Sequence, residues 1–227
     1  PARAVPPFAQ DVEDSERSLH WWAYAANCRS LVLDVTTPDG RTRLLDLARA
    51  TDFLLESFPP GHLDRLDLGW ATLHRENPRL ILTSITPFGQ DGPYRDFLGP
   101  DLVVQAMGGM MHQLGDRDRP PLRIGGSQAF LQAAGQAAVG TLVAHFWRER
   151  TGQGQWVEVS AQVAMMWTMM SETGFPVLHG HVPFRDGVAT RYAGLRRRTI
   201  FRCRDGFVVL LAVGGAVGGR MLEALTT

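Results

Sequence analysis

Residues 127–160 read SQAFLQAAGQAAVGTLVAHFWRERTGQGQWVEVS. Ser127 is placed to cap a helix that runs to Arg150, because its hydroxyl can accept from a free N–H of the first turn. Arg148 and Arg150 lie in the last turn, where the helix dipole favours cations, and Gly152 falls where a left-handed backbone ends the helix. Beyond it, Val157 and Val159 alternate with Trp156 and Glu158, the period of two that predicts a short strand. Helix, glycine stop and strand in that order point to an α/β fold.

Upstream the same alternation repeats. Leu31 to Val35 (LVLDV) is a short apolar run that predicts a buried strand, and Thr37 with Pro38 opens a helix striped by Leu44, Leu45, Leu47 and Ala48. Phe53 to Phe58 predicts a second strand, broken by Pro59, Pro60 and Gly61. Helical stretches through Leu63, Leu66, Leu68 and Leu73 lead to Asn77 and Pro78, and Leu80 to Ile85 (LILTSI) predicts a third strand. Strand, helix, strand, helix, strand implies parallel βαβ units. Leu102 to Met111 reads as a helix ending at Gln113 to Gly115, and Arg117 to Pro121 as a polar linker.

Downstream, Ala161 to Thr173 predicts a helix with Met165, Met166, Met169 and Met170 in the core. Phe175 to Arg198 reads as irregular, and Thr199 to Cys203 with Phe207 to Val213 reads as a hairpin turned at Asp205 and Gly206. The expectation is a large domain over 1–174 and part of a smaller α+β domain over 175–227.

The 227 residues balance 23 Lys plus Arg against 23 Asp plus Glu, so the chain has no global field for nucleic acid or an anionic membrane. An anionic ligand must be held locally. Cys28 and Cys203 stand far apart, which suits a reducing compartment and a cytoplasmic protein, and no apolar run is long and glycine-free enough to predict a membrane span. Because the chain opens at Pro1 and stops in a helix-like run, it reads as a piece of a longer protein.

Four blocks in order, SLVLDVTTPDGR (30–41), TDFLLESFPPGHLDRLDLGW (51–70), NPRLILTSITPFGQDGPY (77–94) and TGQGQWVEVS (151–160), resemble the family III CoA-transferases, the CaiB/BaiF family. The resemblance implies a Rossmann-like large domain plus a small domain, an interlocked homodimer or a heterodimer with a homologous subunit, and transfer of coenzyme A between an acyl-CoA and a carboxylic acid. It implies CoA as substrate, without a prosthetic group or metal. Carried over by position, CoA lies against Leu33, Asp34, Val35 and Thr36, against Ser57, Phe58 and Pro59, against Arg65, and against Gly99, Pro100 and Asp101. Arg65 suits a phosphate because its guanidinium is a bidentate fork; pairing with Asp64 or Asp67 is the alternative.

One departure bears on chemistry. In the family the start of the long helix supplies an Asp that attacks the thioester, giving a mixed anhydride and then an enzyme-bound CoA thioester. Here the matching position is Phe130, or Ala129 with a one-residue slip, and residues 120–148 contain neither Asp nor Glu. Losing a covalent nucleophile costs on the order of 10⁴-fold in turnover. Asp101 is the substitute acid, base or nucleophile, with capping of its own helix as the alternative role. The result is either transfer rerouted through Asp101 or a non-catalytic CoA-binding subunit beside a competent homologue. The related α-methylacyl-CoA racemases are disfavoured, since their His would fall at Pro100 and their Asp in the carboxylate-free stretch. Elsewhere, the Glu56-Ser57-Phe58-Pro59-Pro60-Gly61 run carries a hydroxyl where the family has an Asn amide, and Tyr192 to Arg198 replaces a glycine-rich covering loop. His179-Gly180-His181 reads as loop before metal site, and Gly214 to Gly219 lacks the βαβ setting of a dinucleotide loop.

Overall fold

The computed structural model describes residues 2–169, 172–187, 189–192, 195–210, 218–220 and 223. They divide into two compact units, Pro1–Leu44 and Leu45–Thr227. In the first, Ser18 caps α1 (Leu19–Tyr24) by accepting from the Trp21 N–H at 3.1 Å. Thr37 Oγ1 accepts from the Gly40 N–H at 3.1 Å and so caps α2 (Pro38–Arg49), with Pro38 in the first turn as predicted.

The strand expected at Leu31 to Val35 does not form. Leu31 and Val32 are exposed, and the Asp34 carboxylate accepts from the Thr36 hydroxyl (2.6 Å) and N–H (2.9 Å), turning the chain where a strand would run straight. Those bonds, the hydroxyl's first, hold the Asp34 carboxyl below its ordinary range. A run of apolar residues becomes a buried strand only where a neighbour supplies the ladder and both faces are covered.

The second unit is built on a parallel sheet of β1 (Phe53–Glu56), β2 (Ile81–Thr86) and β3 (Trp156–Ser160), in that order. Leu54 pairs with Leu82, and Thr83 with both Leu55 and Val157. Between β1 and β2 come α3 (His62–Arg65) and α4 (Trp70–Glu76); between β2 and β3 come α5 (Asp101–Met107), α6 (Met110–Gln113) and the long α7 (Gln128–Thr151). The pleat sends alternate β2 residues to opposite faces. Leu80 and Leu82 join Ala48 and Leu73 in one core, while Ile85, Val157 and Val159 join Val104, Ala133 and Met165 in another. Helices on both faces of a parallel sheet make the α/β class expected.

α7 fixes the second core. Ala129, Ala133, Ala137, Thr141, Ala144 and Arg148, all buried, recur every three or four residues and form one stripe. Small side chains bring the helix close enough for the Thr83 and Thr141 hydroxyls to bond at 2.7 Å inside the core. The opposite face is also apolar but exposed: Val139, Leu142, Val143, Phe146 and Trp147 each keep at least half of their surface in solvent. Gly152 ends the helix with φ 76°, its N–H bonded to the Arg148 carbonyl at 2.7 Å.

Elsewhere the boundaries shift. The helix expected over 102–111 breaks at Gly108-Gly109, where Gly109 has φ +87° and the chain restarts as α6. α8 (Ala161–Trp167) stops short of Thr173, and Met170 lies outside the described residues. The stretch from Phe175 holds a short helix, α9 (Phe175–His179), and a hairpin of β4 (Ala189–Tyr192) and β5 (Leu195–Arg198) where irregular chain was expected. Ala193 and Gly194 between these strands, and residues 214–217 of the glycine run, lie outside the described residues. The expected terminal hairpin forms as β6 (Ile200–Arg202) and β7 (Phe207–Val209), pairing Ile200 with Val209. Among the described residues no helix is long and apolar enough to cross a membrane.

Candidate functional site

Parallel strands β1 and β2 end side by side at Glu56 and Thr86, and the loops leaving them part to form a crevice, the place where open α/β sheets bind ligands. A cavity of about 450 Å³ opens there, lined by Ser57, Ile85, Thr86, Pro87, Gly99, Phe130 and Ala161. The loops meet closely: a Cβ on Gly99 would lie 2.2 Å from that of Pro87, so only glycine passes. The polar side chains facing the cavity are two hydroxyls, and that of Thr86 accepts from the Gly89 N–H at 3.0 Å. Phe130, in the first turn of α7, is 44% exposed and supplies an aromatic wall. Ser57, Gly99 and Phe130, singled out separately in the sequence, thus converge on one space.

Asp101 sits next to that wall, but its carboxylate is held. Oδ1 accepts from the Ala129 N–H at 2.8 Å and Oδ2 accepts from the Gln105 side-chain amide at 2.6 Å. The N-cap position of α5 is Pro100, with Asp101 in the first turn, so the carboxylate caps α7 and not its own helix. Ser127, the expected cap of α7, makes no capping bond. The replacement is reasonable electrostatically, since an anion at a helix start also meets the positive end of the dipole. Gln105 is fully buried and completes the arrangement: its Oε1 accepts from the Ile124 N–H (3.0 Å) and its Nε2 donates to the Ile124 carbonyl (3.3 Å). Asp101 and Gln105 together pin both ends of the 124–129 loop and so set where Phe130 lies. Gln105 was not singled out from sequence, although an amide four residues after an Asp in an apolar helix is a usable signal.

On the other side of the cavity loop, the Phe58 N–H donates to Glu56 Oε2 at 2.8 Å, and the Phe58 ring stacks on His62 with centroids 4.7 Å apart. Arg65 is exposed and makes no ion pair among the described residues; its Nη1 donates only to the Pro60 carbonyl at 3.4 Å. Pairing with Asp64 or Asp67 is therefore not its state here. Leu33, Asp34, Val35 and Thr36 belong to the first unit, where they make the turn described above. His179 and His181 both pack on Phe175, at 5.2 and 5.4 Å between ring centroids.

The sequence model of CoA-transferase family III matches residues 1–226. The chain belongs to the family III CoA-transferases. Among curated relatives of this family member, it is 42% identical over 171 residues to the succinyl-CoA–D-citramalate CoA-transferase of Chloroflexus aurantiacus, covering 75% of this chain and 42% of that protein. It is 35% identical over 215 residues to the succinyl-CoA:(R)-benzylsuccinate CoA-transferase subunit BbsE of Thauera aromatica, covering 95% and 51%. A crystal structure of a CaiB/BaiF family protein from Brucella suis superposes with a TM-score of 0.78 at 28% identity, covering 99% of this chain and 59% of that one. The chain thus spans about half the length of the curated relatives it matches.

Proposed function

We propose that this family member binds acyl-CoA in the crevice at the β1 and β2 ends and takes part in moving CoA from an acyl-CoA to a carboxylic acid, with the attacking carboxylate supplied by a homologous partner subunit. The observation that carries the reading is Phe130 in the wall of a cavity whose own polar side chains are the Ser57 and Thr86 hydroxyls. A thioester carbonyl entering there meets a phenyl ring where covalent transfer needs a carboxylate, so the chain supplies binding and an apolar wall, and a partner that covers this rim would strengthen the electrostatic contact it adds. CoA is substrate, with no prosthetic group invoked. The apolar outer face of α7 supports a partner, since a helix apolar on all sides is normally covered and exposed patches of this kind mark protein interfaces. That the Thauera aromatica relative is named as a subunit is consistent with a heterodimer. A cytoplasmic location and a boundary near Phe175 between a large and a small domain belong to the same reading.

A transfer assay tests this. The purified protein, given succinyl-CoA and a carboxylic acid acceptor, should bind CoA yet form no new thioester alone, and Phe130→Asp should introduce measurable transfer. Full turnover by the wild-type protein alone would overturn the proposal. A second reading has its own support, because Asp101 bonds to the residue preceding Phe130: Asp101 itself attacks. Under it, Asp101→Asn, which retains an oxygen to accept from Ala129, abolishes activity without loss of stability.

A further inference from the structure

Arg95, which no sequence motif singled out, stands beside Arg65. A methyl group built on Gly61 would have Arg65 Nη1 3.5 Å away and Arg95 Nη2 3.9 Å away, so the two guanidiniums reach one point from separate segments, α3 and the loop after β2. Each nitrogen lies within 4 Å of that point and hence less than 8 Å from the other. Like charges are not gathered this way without cost, and the local acids do not resolve it. Asp96 meets Arg95 at Nε (3.3 Å) in a largely exposed pair, and among the described residues Arg65 donates to the Pro60 carbonyl alone. Gly61 is the residue between them, left-handed at φ 69° and without a side chain, which leaves the space open. Next to it the stacked Phe58 and His62 rings offer a flat, partly exposed aromatic surface.

Resting on the CoA reading above, we infer that Arg95 and Arg65 form a two-guanidinium clamp over Gly61 for a phosphomonoester, the ribose phosphate of CoA. The charge count selects it. A phosphomonoester near neutral pH carries close to two negative charges on three terminal oxygens, enough to satisfy two forks, whereas each phosphorus of a diphosphate ester carries one. Gly61 lets the group come near the backbone, and the aromatic surface at Phe58 suits the attached nucleoside by stacking. Arg95 is thus a specificity residue for the phosphorylated form of the coenzyme.

Calorimetry on the whole protein, with CoA and with dephospho-CoA, which lacks that phosphate, tests the assignment. The wild type should bind CoA about a hundredfold more tightly than dephospho-CoA, about tenfold for each of the two charge-assisted contacts. Arg95→Ala should weaken CoA about tenfold, leave dephospho-CoA unchanged, and so remove the Arg95 share of the preference. Arg95→Lys should restore part of it, and inorganic phosphate should compete with CoA but not with dephospho-CoA. If CoA binds and Arg95→Ala lowers both ligands equally or neither, the clamp is wrong while the proposed function stands. If the wild type binds no CoA, both fall.

Discussion

The two ends of α7 are held by opposite means. At the C-terminal end Arg148 is nearly fully buried and donates to the Asp52 and Arg79 carbonyls at 3.1 and 3.2 Å, tying the helix to the starts of β1 and β2. It also meets Asp52 Oδ1 at 3.2 Å, His145 Nδ1 at 2.9 Å and the face of Phe53. At the N-terminal end a carboxylate from α5, 28 residues away in sequence, caps the helix at Ala129, and Phe130 next to it is half in solvent. One end is a buried polar knot under the sheet's amino edge, in which Arg148 Nε has no hydrogen-bond partner among the described residues. The other is a held but open rim. What separates the two ends of this helix is therefore burial: Arg148 lies inside and Phe130 at the surface.

Substitutions should rank the ends accordingly. Arg148→Ala removes a buried cation that satisfies two carbonyls and should cost about 3–5 kcal/mol of unfolding free energy in chemical denaturation. Asp101→Ala should cost about 1–2 kcal/mol by removing the α7 cap, and Asp101→Asn much less. Gly152→Ala, forcing a side chain into the left-handed C-cap, should cost about 1 kcal/mol. Phe130→Ala, at an exposed rim, should shift stability by no more than about 0.5 kcal/mol while changing acyl-CoA binding; a loss as large as that of Arg148→Ala would end the contrast. The smallest effect lies outside α7. Asp34 should titrate below an ordinary Asp by NMR, and Thr36→Val should bring it back up. Since its folded pKa is lowered, the stability it adds is present above the ordinary Asp value and is lost as pH falls through the lowered one.

Legibility in the sequence follows the same division. Gly152, the Arg148 and Arg150 turn and the alternation at Val157 and Val159 are local signals, and the helix and strand they announce formed where expected. β2 was legible because Leu82 and Ile85 join cores on opposite faces of the sheet, and β1 because Leu54 packs with Leu82 in one of them, although Leu55 stays exposed. Leu31 to Val35 carries the same local signal but has no ladder partner, and its Asp34 finds Thr36 first. Of the cavity, Ser57, Gly99 and Phe130 were reached through the family resemblance. The Asp101 cap on Ala129, the Gln105 clamp on Ile124 and the approach of Arg95 to Arg65 were not, because each joins residues on separate elements whose spacing no periodicity encodes.

The central proposal is that, among the described residues, Phe130 and not an attacking carboxylate faces a bound thioester. Intact-mass measurement of the protein incubated with succinyl-CoA tests it most directly. The wild type should show no covalent CoA and no acyl adduct, and Phe130→Asp should acquire one on the peptide containing residue 130. An adduct on the wild type that maps to Asp101 would contradict the account.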